Sequence, residues 1–172
     1  TRIFAATTDG LYCSDDMGKT FVQKSHYESF LNICVDPVTK YIYASCGSYK
    51  SLVNTNRFIM RSTDNGDNFQ PIKACYKLQD PNDPNSAQIE SVMAKPLVTV
   101  YNNILYCMTA TPSGDIFDGD VTDAIPGSLG LEALYRSDNP GEADPSKVEW
   151  KMVFDGSKPG NNILNGIAHR VG

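Results

Sequence analysis

The stretch Ile59-Met60-Arg61-Ser62-Thr63-Asp64-Asn65-Gly66-Asp67-Asn68-Phe69 decides the fold class, because the chain contains it more than once. Leu11-Tyr12-Cys13-Ser14-Asp15-Asp16-Met17-Gly18-Lys19-Thr20-Phe21 repeats its order: two apolar residues, one free position, Ser, Asp and Gly at alternate positions, then Thr or Asn before Phe. Asp16 and Asp64 stand 48 residues apart. A looser copy, Leu134-Tyr135-Arg136-Ser137-Asp138-Asn139-Pro140-Gly141, has Asn in place of Asp and reaches its aromatic, Trp150, only after the extra residues 142–147. A period of roughly 20–50 residues marks an array of like units, none of which buries its apolar face alone.

The unit reads as a β-hairpin. Apolar alternation carries one strand into Ser, the chain turns, and the second strand begins at the aromatic. Asp in such a turn accepts backbone N–H groups that the bend leaves unpaired. Glycine two residues later supplies a left-handed φ that a Cβ disfavours, and the aromatic ring is placed to pack on a neighbouring layer. Ahead of the hairpins lie Ile33-Cys34-Val35-Asp36-Pro37 and Val92-Met93-Ala94-Lys95-Pro96, with Ile167-Ala168-His169-Arg170 as a loose third. Each reads as a strand, and a second strand follows at residues 41–46 and 104–110, with 2–6 as the equivalent at the start. Near-continuous apolar character predicts strands packed on both faces.

The pattern Ser-x-Asp-x-Gly-x-x-Phe resembles the Asp-box of BNR-repeat β-propellers, a group that includes sialidases, xyloglucanase-type glycoside hydrolases, sortilin-type receptor domains and photosystem assembly factors. The resemblance implies an all-β fold made of four-stranded antiparallel blades, with strands A to D running outward from a channel. On that scheme the chain is a partial β-propeller of about three blades in BCD–ABCD–ABCD–A order. Blade one covers 1–28 with strands at 2–6, 10–14 and 21–24; blade two covers 29–87 with strands at 31–36, 41–46, 58–62 and 69–73. Blade three covers 88–160 with strands at 89–94, 104–110, 133–137 and 149–154, and residues 161–172 hold the first strand of a next blade, at 163–169. Propellers close with about 4–8 blades. The expected partners are therefore the remaining blades of a longer propeller or, alternatively, a second copy whose last strand completes the BCD sheet. A start at Thr1 without Met or a legible signal segment reads as a processed product or an excised piece.

Composition removes other classes. The 172 residues carry a net charge of −5, which opposes binding to a nucleic-acid backbone, and no apolar window is long enough for a membrane span. Two histidines, His26 and His169, exclude a multi-histidine zinc site. Five cysteines without a CxxC pair make a poor disulfide or metal framework, and read as mostly free and buried, with one bridge left open. No Asn-x-Ser/Thr acceptor hints at secretion. The family resemblance alone leans toward an extracellular or particle-associated setting.

The same resemblance makes the boxes structural: Ser14, Asp16, Gly18 and Phe21; Ser62, Asp64, Gly66 and Phe69; Ser137, Asn139, Gly141 and Trp150. It places ligands on the opposite face, at the B–C and D–A connections. The B–C insertion at 47–57 offers Tyr49, Lys50, Asn54, Asn56 and Arg57, an aromatic among polar and cationic groups, as sugar or peptide recognition requires. The insertion at 111–131 gathers Asp115, Asp118, Asp120 and Asp123, possible oxygen ligands for Ca²⁺ whose spacing departs from an EF-hand loop. The D–A connection at 74–88 has the Pro and Asn content of a turn. No other cofactor is indicated. Arg61 and Arg136 directly precede box serines and read as structural, and Arg2-Ile3-Phe4 lacks the proline of the sialidase Arg-Ile-Pro signature. Glu28 and Glu90 are the best-placed acids for the carboxylate pair of a glycosidase. The expectation is a non-catalytic scaffold that recognises a protein or a glycan; the alternative is a fragment of a sialidase- or xyloglucanase-like hydrolase.

Overall fold

The computed structural model describes residues 2–25, 29–46, 58–78, 89–91, 97–109 and 133–155. Among them the chain is all-β, in three antiparallel sheets that succeed one another along the sequence. The first holds β1 (Ile3–Thr7), β2 (Gly10–Ser14) and β3 (Val22–Ser25). The second holds β4 (Phe30–Val35), β5 (Ile42–Cys46), β6 (Phe58–Ser62) and β7 (Gln70–Ile72). β8 (Tyr76–Leu78) and β9 (Ile89–Ser91) pair only with each other. The third sheet holds β10 (Leu97–Tyr101), β11 (Ile104–Thr109), β12 (Ala133–Ser137) and β13 (Lys151–Asp155). A single 3₁₀ turn, Pro145–Lys147, lies between β12 and β13.

One expected strand is corrected. Ile89–Ser91 is not the first strand of the third sheet; it pairs with Tyr76–Leu78, inside the connection read as a plain turn. The first strand is Leu97–Tyr101, at the sheet's edge, and the cause is the dipeptide Asn102-Asn103. Both residues adopt left-handed φ, 50° and 57°, and so make the tight two-residue hairpin that sets Tyr101 opposite Ile104. Asn tolerates that conformation better than most side chains. The sequence 92–96 and the expected strand at 163–169 lie outside the described residues.

The sheets stack through alternating faces. Along β5 and β6, Tyr43 and Ile59 pack with Val98, Val100, Leu105, Cys107 and Tyr135 of the third sheet. Their neighbours Ala44, Cys46 and Met60 pack with Leu11 of the first. The second sheet is thus buried on both sides, which is why β5 is apolar or small at every position and buried throughout. The outer sheets bury one face. In β12 every second residue, Ala133, Tyr135 and Ser137, is buried, while Leu134 and Arg136 between them are half-buried. Removing apolar surface at about 25 cal/mol per Å² makes each fully covered Leu, Ile or Tyr a contribution of about 1.5–3 kcal/mol to this stacking.

None of the five cysteines is in a disulfide; Cys13, Cys46 and Cys107 are buried, and Cys34 and Cys75 half-buried. A hydrogen bond with Cys75, together with burial, holds the Cys107 thiol far above the usual range. Burial pushes Cys34 up to about 12. Such thiols stay protonated and act as small core residues. No described helix is long and apolar enough to cross a membrane.

Candidate functional site

The first two boxes fold as near copies. Ser14 Oγ donates to Asp16 Oδ1 at 2.8 Å and accepts from the Gly18 amide at 2.8 Å. Asp16 accepts the Thr20 amide at 2.9 Å and the Thr20 hydroxyl at 2.6 Å. In the second box Ser62 Oγ donates to Asp64 at 2.7 Å and accepts from the Gly66 amide at 2.8 Å. Asp64 accepts the Asn68 amide and its Nδ2 at 3.0 and 2.7 Å. Gly18 and Gly66 both take φ 86°, and the residues before them, Met17 and Asn65, are left-handed too. Hydrogen bonds from Thr20 and Ser14 hold Asp16 down at about 2, and those from Asn68 and Ser62 do the same for Asp64.

The third box keeps the scheme with different parts. Asn139 Oδ1 accepts from Ser137 Oγ at 3.3 Å and from the Glu149 amide at 2.9 Å, ten residues on where the other boxes need four. The inserted residues form the 3₁₀ turn, whose Asp144 caps Ser146 N at 3.0 Å. Gly141 does not share the left-handed φ.

Boxes two and three dock on the preceding sheet, and an arginine clamps each. Arg2 Nη1 donates to Asn65 O and Asp67 Oδ1, both at 2.7 Å, while its Nε holds Asp15 Oδ1 at 2.7 Å. Arg61 Nη1 donates to Pro140 O at 2.7 Å and Glu142 O at 2.6 Å. Asn65 and Pro140 hold the same place in their boxes, as do Asp67 and Glu142. The aromatics follow: Phe69 meets Phe4 edge to face, centroids 6.3 Å apart, and Trp150 Nε1 donates to Lys73 O at 2.8 Å. The first box has no such partner among the described residues. Phe21, expected to be covered, is 45% exposed, and Met17 is 72% exposed.

A second junction ties sheets two and three. Asp36, wholly buried, accepts from Val38 N at 3.1 Å and Thr39 Oγ1 at 2.8 Å in its own turn. It also accepts from Asn102 N at 2.9 Å and Asn103 N at 2.7 Å in the β10–β11 hairpin. Burial raises the carboxyl, but these four bonds outweigh it and leave Asp36 below the usual range. Asn32 Oδ1 adds a bond from Val98 N at 2.8 Å. Asp36 stood in a motif legible from sequence, yet its bridging role was missed; Asp-Pro-x-Thr is itself a turn-capping signal.

Apart from the mid-strand Asn32–Val98 bond, the box turns and the Asp36 junction lie at one end of the sheets. By antiparallel alternation β5, β7 and β11 end, and β6, β10 and β12 begin, at the opposite end. Tyr49, Lys50, Asn54, Asn56 and Arg57 lie outside the described residues, as do Glu28, Asp115, Asp118, Asp120 and Asp123. Glu90 stands on β9 opposite Lys77. Among the described residues, no three His, Cys, Asp or Glu side chains converge as metal ligands. Comparison with protein-family models, curated proteins and solved structures found no match to this chain.

Proposed function

We propose that this chain is a run of Asp-box β-propeller blades acting as a non-catalytic recognition scaffold for a protein or glycan. The supporting observation is the division between the two ends of the sheets. One end is consumed by structure: serine, aspartate, arginine and tryptophan side chains there bond to turn backbone and adjoining sheets. At the other end β5 and β11 stop and β6 and β12 start, and binding groups commonly sit in the loops that join strands of a rigid scaffold. The stack of three sheets, with three, four and four strands, fits consecutive blades.

The test joins a glycan array to a hydrolysis assay, both on the full chain. Retention of a glycan class, lost on Tyr49→Ala or Arg57→Ala without sugar release, is the expected result. Release of reducing sugar that disappears in Glu28→Gln or Glu90→Gln would replace this reading with that of a hydrolase fragment.

A further inference from the structure

The turn-on-sheet contact occurs twice inside this chain, and among the described residues its two halves recur unjoined at the outer sheets. By strand register, Tyr43 pairs with Arg61 in the second sheet, and Tyr106 pairs with Arg136 at the same position of the third. Tyr43 and Arg61 are covered by the third sheet, at 0% and 2% exposure. Arg136 is poised as Arg2 is, its Nε on the aspartate that follows the box serine: Arg2 to Asp15 at 2.7 Å, Arg136 to Asp138 at 2.6 Å. Its guanidinium lies 5.8 Å from the Tyr106 ring centroid. The side chain remains 36% exposed on the outward face.

At the other flank stands the matching half. The first box has the geometry of the second, but its glycine meets only Ile3 of its own sheet, whereas Gly66 sits against Phe4 of the preceding one. Met17 occupies the position of Asn65 and Pro140, whose carbonyls the clamping arginines bind. Phe21 occupies the position of Phe69 and Trp150.

We propose that the Tyr106–Arg136 face of the third sheet is a docking surface for the Ser14–Phe21 turn of a second copy of this chain, with Arg136 clamping the Met17 carbonyl and Phe21 covered by the partner's third sheet. Complementary halves on opposite flanks make the contact heterologous, closing into a ring or extending head to tail. The assignment rests on the repeated contact alone and needs no particular number of blades.

Sedimentation of the full chain over a concentration series tests it. The wild type is expected to associate, while Phe21→Glu and Arg136→Glu each sediment as single chains. An equimolar mixture of the two variants retains one intact contact, and is expected to form a two-chain species and nothing larger. Far-UV circular dichroism confirms the fold of each variant, with Phe21→Ser and Arg136→Gln as a milder pair. A wild type that stays a single chain throughout overturns the proposal. So does association that survives both substitutions, or a mixture that stays unpaired. Glycan binding by the same variants is scored separately, so either reading falls alone.

Discussion

Sheets two and three are joined by the same clamp as sheets one and two, in a different medium. Arg61 is buried and spends its charge on two backbone carbonyls. Arg2 reaches the equivalent carbonyl from a site lined with carboxylates: Asp15 is 67% exposed and Asp67 55%. A buried hydrogen-bonded charge is strongly coupled to its surroundings, because losing a partner strands the others in low dielectric. An exposed ion pair is screened, and contributes little. The second interface also has Asp36, for which the first has no counterpart among the described residues. The junction of sheets two and three is therefore expected to be the stronger, and substitutions at matched positions measure the difference.

The largest effect is expected at Asp36. Asp36→Ala removes the acceptor of four donors on two turns and should cost about 4 kcal/mol, read from the urea midpoint. Asp36→Asn keeps one acceptor oxygen and should cost about half as much. Arg61→Ala comes next at about 3 kcal/mol, since the carbonyls of Pro140 and Glu142 lose their donor. Arg2→Ala should be milder, and the share of its effect that comes from Asp15 and Asp67 should shrink at 1 M salt, where the Debye length falls to about 3 Å. Equal, salt-independent losses at Arg2 and Arg61 would show that the two interfaces do not differ as described.

Glycine substitutions sharpen the contrast between a docked box and a free one. A Cβ on Gly66 would overlap the Phe4 ring, and φ 86° is costly for any side chain. Gly66→Ala should cost about 3 kcal/mol, from about 1–2 for the left-handed backbone and the remainder from overpacking. Gly18 shares the φ but has open space beyond Ile3, so Gly18→Ala should lose only about 1 kcal/mol. Identical losses would mean that the turn, not the docking, sets the requirement for glycine.

The sequence made the boxes plain because their contacts are local. Ser62, Asp64, Gly66 and Asn68 satisfy one another within four residues, so spacing alone shows the turn. Contacts between sheets left weaker traces. Arg61 was legible as structural from its place before Ser62, but not its reach to carbonyls some 80 residues away. Lys95-Pro96 imitated Asp36-Pro37 and drew the third sheet's first strand too early, whereas Asn102-Asn103, two residues of the type that tolerates left-handed φ, marked the true place. Phe21 looked like Phe69 because motif position carries no information about what packs against the turn. The ligand candidates rest on loop composition, and they lie outside the described residues except Glu90.

The finest distinction is chemical, between boxes built on Asp and the box built on Asn. Asp16 and Asp64 are held at about 2 by hydrogen bonds to their charged forms, below the ordinary 3.8. A carboxyl depressed on folding stabilises the native state fully above its unfolded value, and that contribution is lost as pH falls through the folded one. The first two turns should therefore weaken between about pH 4 and pH 2 through their central acceptors, while Asn139 does not titrate and acid reaches the third turn through Asp138 and Asp144, both held below the ordinary range by their hydrogen bonds. Amide resonances report this site by site. Thr20 and Asn68 N–H, which donate to the two carboxylates, should move with midpoints near 2, and Glu149 N–H, which donates to Asn139, should stay flat. Asp64→Asn should abolish the Asn68 titration and leave the Thr20 titration in place. Movement of the Glu149 amide with the same midpoint would mean that acid acts beyond the central acceptors, through Asp144 in its own turn or through Asp36 and the interfaces.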